Sequence, residues 1–229
     1  MLVLTDLTRF NDSDDVCMAL LDQNDCTCYR PLPYVDRAFV CSRNIYPGTI
    51  VSADIIPAEN ASAPHVEDCC FENTVWLERA DEGVFRDVLE RSAVDSVKDA
   101  FEGRITPTNR CVPENDPCGQ SIRTVRVDPL SLTVTVVESG GEAKIRLGFA
   151  DFAGEKYRHT PISDLYFHAA AMRYVEQGRL DELNALLAGG EVVYIRTGLS
   201  RLYESKSGKQ GFWMQANGIY VFPGCFMGC

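Results

Sequence analysis

Apolar and polar positions alternate most cleanly in the second half of the chain. In "QSIRTVRVD", Ile122, Val125 and Val127 stand against Arg123 and Arg126, and the run stops at Asp128-Pro129. In "LSLTVTVVE", Leu130, Leu132, Val134 and Val136 stand against Ser131, Thr133 and Thr135. A Ser139-Gly140-Gly141 turn then leads into "EAKIRLGFAD", where Ala143, Ile145, Leu147 and Phe149 share a face. Three such runs with short turns predict a meander. After Pro161 the period lengthens. Ser163 reads as an N-cap, Leu165, Ala169, Met172 and Val175 follow at helical spacing, and "LDELNALLAGG" stops at its glycine pair, which predicts a helical insertion over residues 163–188. "EVVYIRTGLSRLY" is a strand, and the polar loop "ESKSGKQG" precedes a closing run, "GFWMQANGIYVFPG".

In that closing run Phe212, Met214 and Ala216 are expected inward, and Trp213, Gln215 and Asn217 away from the core. Gly218 shifts the alternation, so the run reads as one bulged strand instead of a hairpin split at Asn217-Gly218. The order strand-strand-strand-helix-strand-strand matches a five-stranded OB barrel with its helix between the third and fourth strands.

The first half is less regular. "DVCMALLD" and "CTCYRPLP" predict a hairpin, "RAFVCSRNIYPGTIVSADIIP" two extended runs across Tyr46-Pro47-Gly48, and "HVEDCCFENTVWLER" a further strand. Asp81 caps a helix over residues 81–102, with Phe85, Leu89, Ala93 and Val97 on one face. "TPTNRCVPENDPCGQ" is the linker candidate, which divides the chain into residues 1–112 and 119–229. The fold class expected is mainly β with a few helices, arranged as two OB-like barrels.

Charge sharpens the division. The net charge is -11, and residues 1–119 carry 10 basic and 22 acidic side chains while residues 120–229 carry 12 and 11. Polyanion binding depends on Lys and Arg neutralising phosphates, so a nucleic-acid contact is expected in the second half and a protein partner at the acidic first half. The start "MLVLTDLTRF" lacks the basic and apolar pattern of a secretory leader, and no uncharged apolar run is long enough to span a bilayer, so a cytoplasmic location without membrane contact is expected. The ten cysteines include no Cys-x2-Cys pair and only His65, His159 and His168 accompany them, so they are read as reduced thiols and no metal or cofactor is expected.

Walker, dinucleotide-binding, Gly-x-Ser-x-Gly and His-Glu-x-x-His signatures are absent. His65-x-Glu67 and Pro117-Cys118 share pieces with zinc deaminases, but Ser121 stands where the last thiolate is needed. His65, Glu67 and Asp68 remain the candidate catalytic cluster of a metal-dependent hydrolase or nuclease, against the plainer reading of a turn bonded to its own backbone. Arg196 and Arg201 flank Gly198, where the strand bends or bulges. With Lys144, Arg146, Lys206 and Lys209 they are the one place where a basic patch can assemble. Trp213 with Gln215 and Asn217 offers a stacking face and hydrogen-bonding groups to single-stranded nucleic acid or a nucleotide-like ligand. The competing reading is that Trp213 covers a neighbouring element.

"YIRTGLSR" and "WMQANGIYVFPG", with "VCMALLD", "YRPLP" and "PHVED", resemble the bacterial family of dual OB-containing domains. The resemblance implies two OB-like units in one chain and a non-enzymatic, nucleic-acid-associated role in conflict or defence systems. Its family-like positions are His65, Glu67, Asp68, Arg196, Gly198, Arg201, Gln215, Asn217 and Gly218. The tail "FPGCFMGC", with Cys225 and Cys229, departs from the pattern.

Overall fold

Residue Asp6 interrupts an apolar run, "LVLTDLTR", that is buried almost throughout as the first strand, β1 (Leu2–Arg9). The architecture comes from a computed structural model that describes residues 1–139, 141–206 and 208–224; Gly140 of the expected turn and Cys225 and Cys229 of the tail lie outside the described residues. The chain continues through β2 (Asp15–Asp22), β3 (Cys28–Pro31), β4 (Val35–Asp36), α1 (Arg37–Ser42), β5 (Thr49–Pro57) and β6 (Asp68–Arg79). Pairing runs β1-β2-β3-β6-β5 and back to β1, a closed five-stranded barrel in which only β3 and β6 are parallel. Leu2, Leu4, Leu7, Val16, Met18 and Leu20 fill it.

The expected hairpin is β2–β3, with Leu20 opposite Tyr29. The first of the two extended runs expected after Asp36 is instead helix α1, because the Asp36 carboxylate accepts from the Ala38 amide and caps it. Strand β1 carries no alternation to read, since both of its faces are covered.

Helix α2 (Glu82–Ser92) is capped by Asp81 as expected, but it ends at Ala93. Ala93 and Val94 form β7, which pairs in parallel with the second unit, and Ser96 caps a separate one-turn helix, α3 (Val97–Ala100). Strand β8 (Cys111–Val112) pairs with the last strand of the chain. The sequence division at 112–119 assigned these residues to the first unit. Their pairings, and the burial of Val97, Phe101, Ile105 and Val112 in the second core, join them to the second.

The second unit comprises β9 (Ile122–Val127), β10 (Thr133–Ser139), β11 (Glu142–Ala150), β12 (Lys156–Pro161), α4 (Leu165–Glu176), α5 (Leu180–Ala188), β13 (Val192–Leu199), β14 (Tyr203–Glu204) and β15 (Gln210–Phe222). The expected three-strand meander is not formed. A 3-10 turn at Pro129–Ser131 separates β9 from β10, β9 pairs with β13, and β10, β11 and β12 make their own sheet. Strand β12 went unforeseen because only Tyr157 and Thr160 of its residues are buried and His159 takes a positive φ of 58°, which breaks the alternation. The two sheets enclose one core and touch through Val127–Asp151 and the parallel Ile162–Ala216 bridge. Helix α4 is capped by Asp164, one residue after the expected Ser163.

The closing run is one strand, as the alternation predicted. Arg196 faces Gly218 and Thr197 faces Ala216, so Asn217 is the extra residue of a bulge. Between the units lies an apolar layer in which Phe85, Val88 and Leu89 of α2 meet Val3 and Leu21 on one side and Tyr194, Tyr220 and Phe222 on the other. Among the described residues no helix is long and apolar enough to cross a membrane.

Candidate ligand-binding site at the seam between the units

Beside that apolar layer runs a polar seam, and most of the sequence candidates lie in it. Arg196, 1% exposed, donates from Nε to Asp6 Oδ2 (2.8 Å), from Nη1 to Thr124 Oγ1 (2.9 Å) and from Nη2 to Cys28 Sγ (3.3 Å). Burial pushes the Cys28 thiol up to about 12, so it remains a neutral acceptor. The Glu67 carboxylate crosses the seam the other way. Its Oε1 accepts from the Ser121 and Ile122 amides at 2.6 and 2.9 Å, and Oε2 from Ser121 Oγ at 3.1 Å.

Asp68 is held by two arginines, one from each unit. Arg30 Nε donates to Oδ1 (2.6 Å), and Arg201 donates to Oδ2 (2.7 Å) and Oδ1 (3.1 Å) while its Nε reaches the Tyr34 hydroxyl. Burial raises this carboxyl, but the Arg201 and Arg30 hydrogen bonds outweigh it and hold it below the usual carboxylate range. His65 differs from its neighbours. It is 8% exposed, its ring packs edge-on against Phe212, and neither ring nitrogen has a hydrogen-bond partner. Burial, with Arg30 and Arg201 nearby, lowers it to about 3, so it is neutral at pH 7.

A cleft of about 390 Å³ opens along the seam, with Glu67, Asp68, Arg196, Cys28, Tyr29 and Arg123 in its wall. The structure brings Glu67, Asp68 and Arg196 together there, but their polar atoms are already taken by the chain itself. Among the described residues no group of three or more His, Cys, Asp or Glu side chains is placed to hold a metal ion.

The other candidates lie outside the cleft lining. Gly198 pairs with Gln215, and a Cβ built on it would stand 2.1 Å from Asn217 Nδ2. Glycine is needed there because the bulged Asn217 folds across the strand. Asn217 therefore departs from the outward face it was assigned: it is 6% exposed and accepts from Ser163 Oγ at 3.0 Å. Trp213 and Gln215 do keep an outward, half-buried face on β15. Trp213 Nε1 donates to the Tyr203 carbonyl, and Lys209 Nζ stands 5.7 Å from the ring centroid while bonded to Asn109 Oδ1. Tyr203 is 56% exposed at this edge, and Lys206 and Lys209 are exposed in the same loop.

Sequence reasoning missed the seam partners Asp6, Arg30, Ser121 and Thr124. The one local signal was Asp6, a charge inside an apolar run, which indicates a buried, paired carboxylate. No protein-family model, curated protein or solved structure matches this chain.

Proposed function

We propose that this chain is a non-enzymatic binding module for single-stranded nucleic acid, made of two OB-like units, whose contact surface is the Trp213–Tyr203–Lys209 edge of the second unit. The observation that carries this reading is the contrast between that edge and the seam. At the seam the polar groups of Glu67, Asp68 and Arg196 are spent on the fold. At the edge, the exposed Tyr203 ring, the half-buried Trp213 ring and two exposed lysines lie together in and beside the loop that leads from β13 to β15. Base stacking on an open aromatic ring with a nearby cation is a sequence-tolerant mode of holding single strands.

The strand order supports the OB reading of both units. In the first, the ring runs first, second, third, fifth and fourth strand, with a short helix between the third and fourth. In the second, β9 and β10 act as one interrupted first strand, and the Ile162–Ala216 bridge links the third to the fifth. The resemblance to dual OB-containing domains points the same way, toward a nucleic-acid-associated part of a bacterial conflict or defence system.

The test is fluorescence anisotropy of a labelled single-stranded oligonucleotide at about 50 and about 200 mM salt. Wild type is expected to bind, more weakly at the higher salt. Trp213→Ala, checked for unchanged far-UV circular dichroism, is expected to weaken binding about tenfold or more, since one stacked base contributes roughly 1–3 kcal/mol. No binding at the lower salt, or equal binding by the variant, would sink the proposal.

A further inference from the structure

Away from the edge and the cleft, the strand register brings Arg9, Arg37 and Arg146 to one corner built by both units, beside the first turn of α4 that carries His168. Strand pairing sets the corner. Arg9 ends β1 opposite Val16, Val16 pairs with Val35, and Arg37 follows two residues later at the start of α1, its amide bonded to the Asp14 carbonyl. The Arg9 amide donates to the Ser163 carbonyl (2.8 Å) and Thr8 bridges Asp164, which docks the end of β1 against the start of α4. Arg146 on β11 lies opposite Pro161, just before the same helix, and His168 sits in its first turn with its amide on the Asp164 carbonyl.

The charges at this corner are uncompensated. No acidic side chain among the described residues lies within ion-pair distance of Arg9, Arg37 or Arg146, in a chain whose net charge is -11. Of the acids near Arg9 and Arg37 in sequence, Asp36 bonds the Ala38 amide and Asp15 bonds Ser13, while Asp12 and Asp14 are exposed and form no ion pair with these arginines. Arg37 Nε is buried without a hydrogen-bond partner. Arg146 reaches only the carbonyl of its neighbour Ile145, at 3.4 Å, and Arg9 only Asn11 Oδ1. His168 is pushed down to about 4 by burial and then by Arg9, Arg146 and Arg37, with no acid acting in the other direction. Burial, followed by the neighbouring Arg37, lowers Arg9 as well. Like charges gathered in a half-buried corner without counter-charge are costly to the fold unless an anion joins them.

We propose that Arg9, Arg37 and Arg146, grouped around His168, form a binding site for a phosphate group, completed only when the two units are docked. Guanidinium forks match phosphate oxygens in geometry, and three of them suit an anion that carries close to two charges at neutral pH better than a carboxylate. A free phosphate ion supplies that charge in full, whereas a backbone phosphate of a nucleic acid, a diester with one charge, offers the forks its two free oxygens. Trp213 has no part in it, so the site stands or falls separately from the stacking edge.

The experiment titrates inorganic phosphate, and separately an unphosphorylated single-stranded oligonucleotide, into the full chain in a chloride buffer by calorimetry. Wild type is compared with Arg146→Gln, Arg9→Gln, Trp213→Ala and a control, Arg173→Gln, exposed on the same helix. Inorganic phosphate bound by wild type, by the control and by Trp213→Ala, and weakened about tenfold or more in Arg146→Gln and Arg9→Gln, is the expected result. It should be accompanied by an upward shift of the His168 titration in NMR when phosphate is saturating. Binding of the oligonucleotide alone, weakened by the same two substitutions, assigns the site to a backbone phosphate. If neither ligand binds, or if Arg146→Gln and Arg9→Gln bind like the control, the site is refuted.

Discussion

His65 stands in the seam with both ring nitrogens unpartnered, so its protonation works against the fold. Its pKa falls from 6.5 to about 3 on folding, chiefly through burial. The sign follows from linkage: the unfolded chain takes up the proton first, so stability is complete above pH 6.5 and is lost as pH falls from there toward 3. His168, lowered to about 4, acts in the same direction. Asp164 acts in the opposite one, because burial raises its carboxyl to about 7 and its contribution is lost as pH rises through that value. Comparing His65→Phe with wild type isolates the one residue, since the phenyl ring keeps the edge-on contact with Phe212. Urea unfolding between pH 7 and 4 is expected to show wild type losing stability faster than the variant. Parallel curves would show that His65 carries no such linkage.

At the scale of the element, the closing strand shows how a bulge converts one residue's side chain into another's constraint. Asn217 is the unpaired residue between Gly218 and Ala216, and it lies over Gly198 on the neighbouring strand. Gly198→Ala is expected to cost about 1–3 kcal/mol by overpacking, and clearly less in an Asn217→Gly background, as a double-mutant cycle would measure. Equal costs in the two backgrounds would contradict the contact. The first part of this strand was legible in the sequence because Phe212, Met214 and Ala216 meet the core while Trp213 and Gln215 are only half covered, so the alternation survives there; from Ala216 to Phe222 both faces are buried. Strand β1 was not legible, being buried on both faces, nor was β12, which buries too few residues to set a period. The run after Asp36 has apolar residues that fit an extended segment, and only the cap bond decides for a helix.

For the whole molecule, charge and packing divide the chain at different places: residues 93–112 lie in the acidic half by sequence, yet their strands pair with β9 and β15 and their apolar side chains enter the core of the second half. The candidate site was legible by residue and not by role. Arg196 was singled out as a group for a ligand, and Glu67 and Asp68 as a candidate catalytic pair, yet all three bond across the seam: Arg196 and Asp6 are 190 residues apart in sequence, a pairing that no local pattern encodes. The central claim is that this buried polar seam makes the two units fold as one body, leaving ligand binding to the open surfaces. The chain has two tryptophans, Trp76 in the first unit and Trp213 in the second, so Trp76→Phe and Trp213→Phe each leave a single reporter on one unit. Guanidinium unfolding followed by fluorescence in these two backgrounds is expected to give coincident midpoints. Arg196→Met, which strands Asp6, should lower both midpoints together, corresponding to a loss of stability of about 3–5 kcal/mol. Two separate transitions, with the Trp76 signal indifferent to Arg196→Met, would contradict the claim.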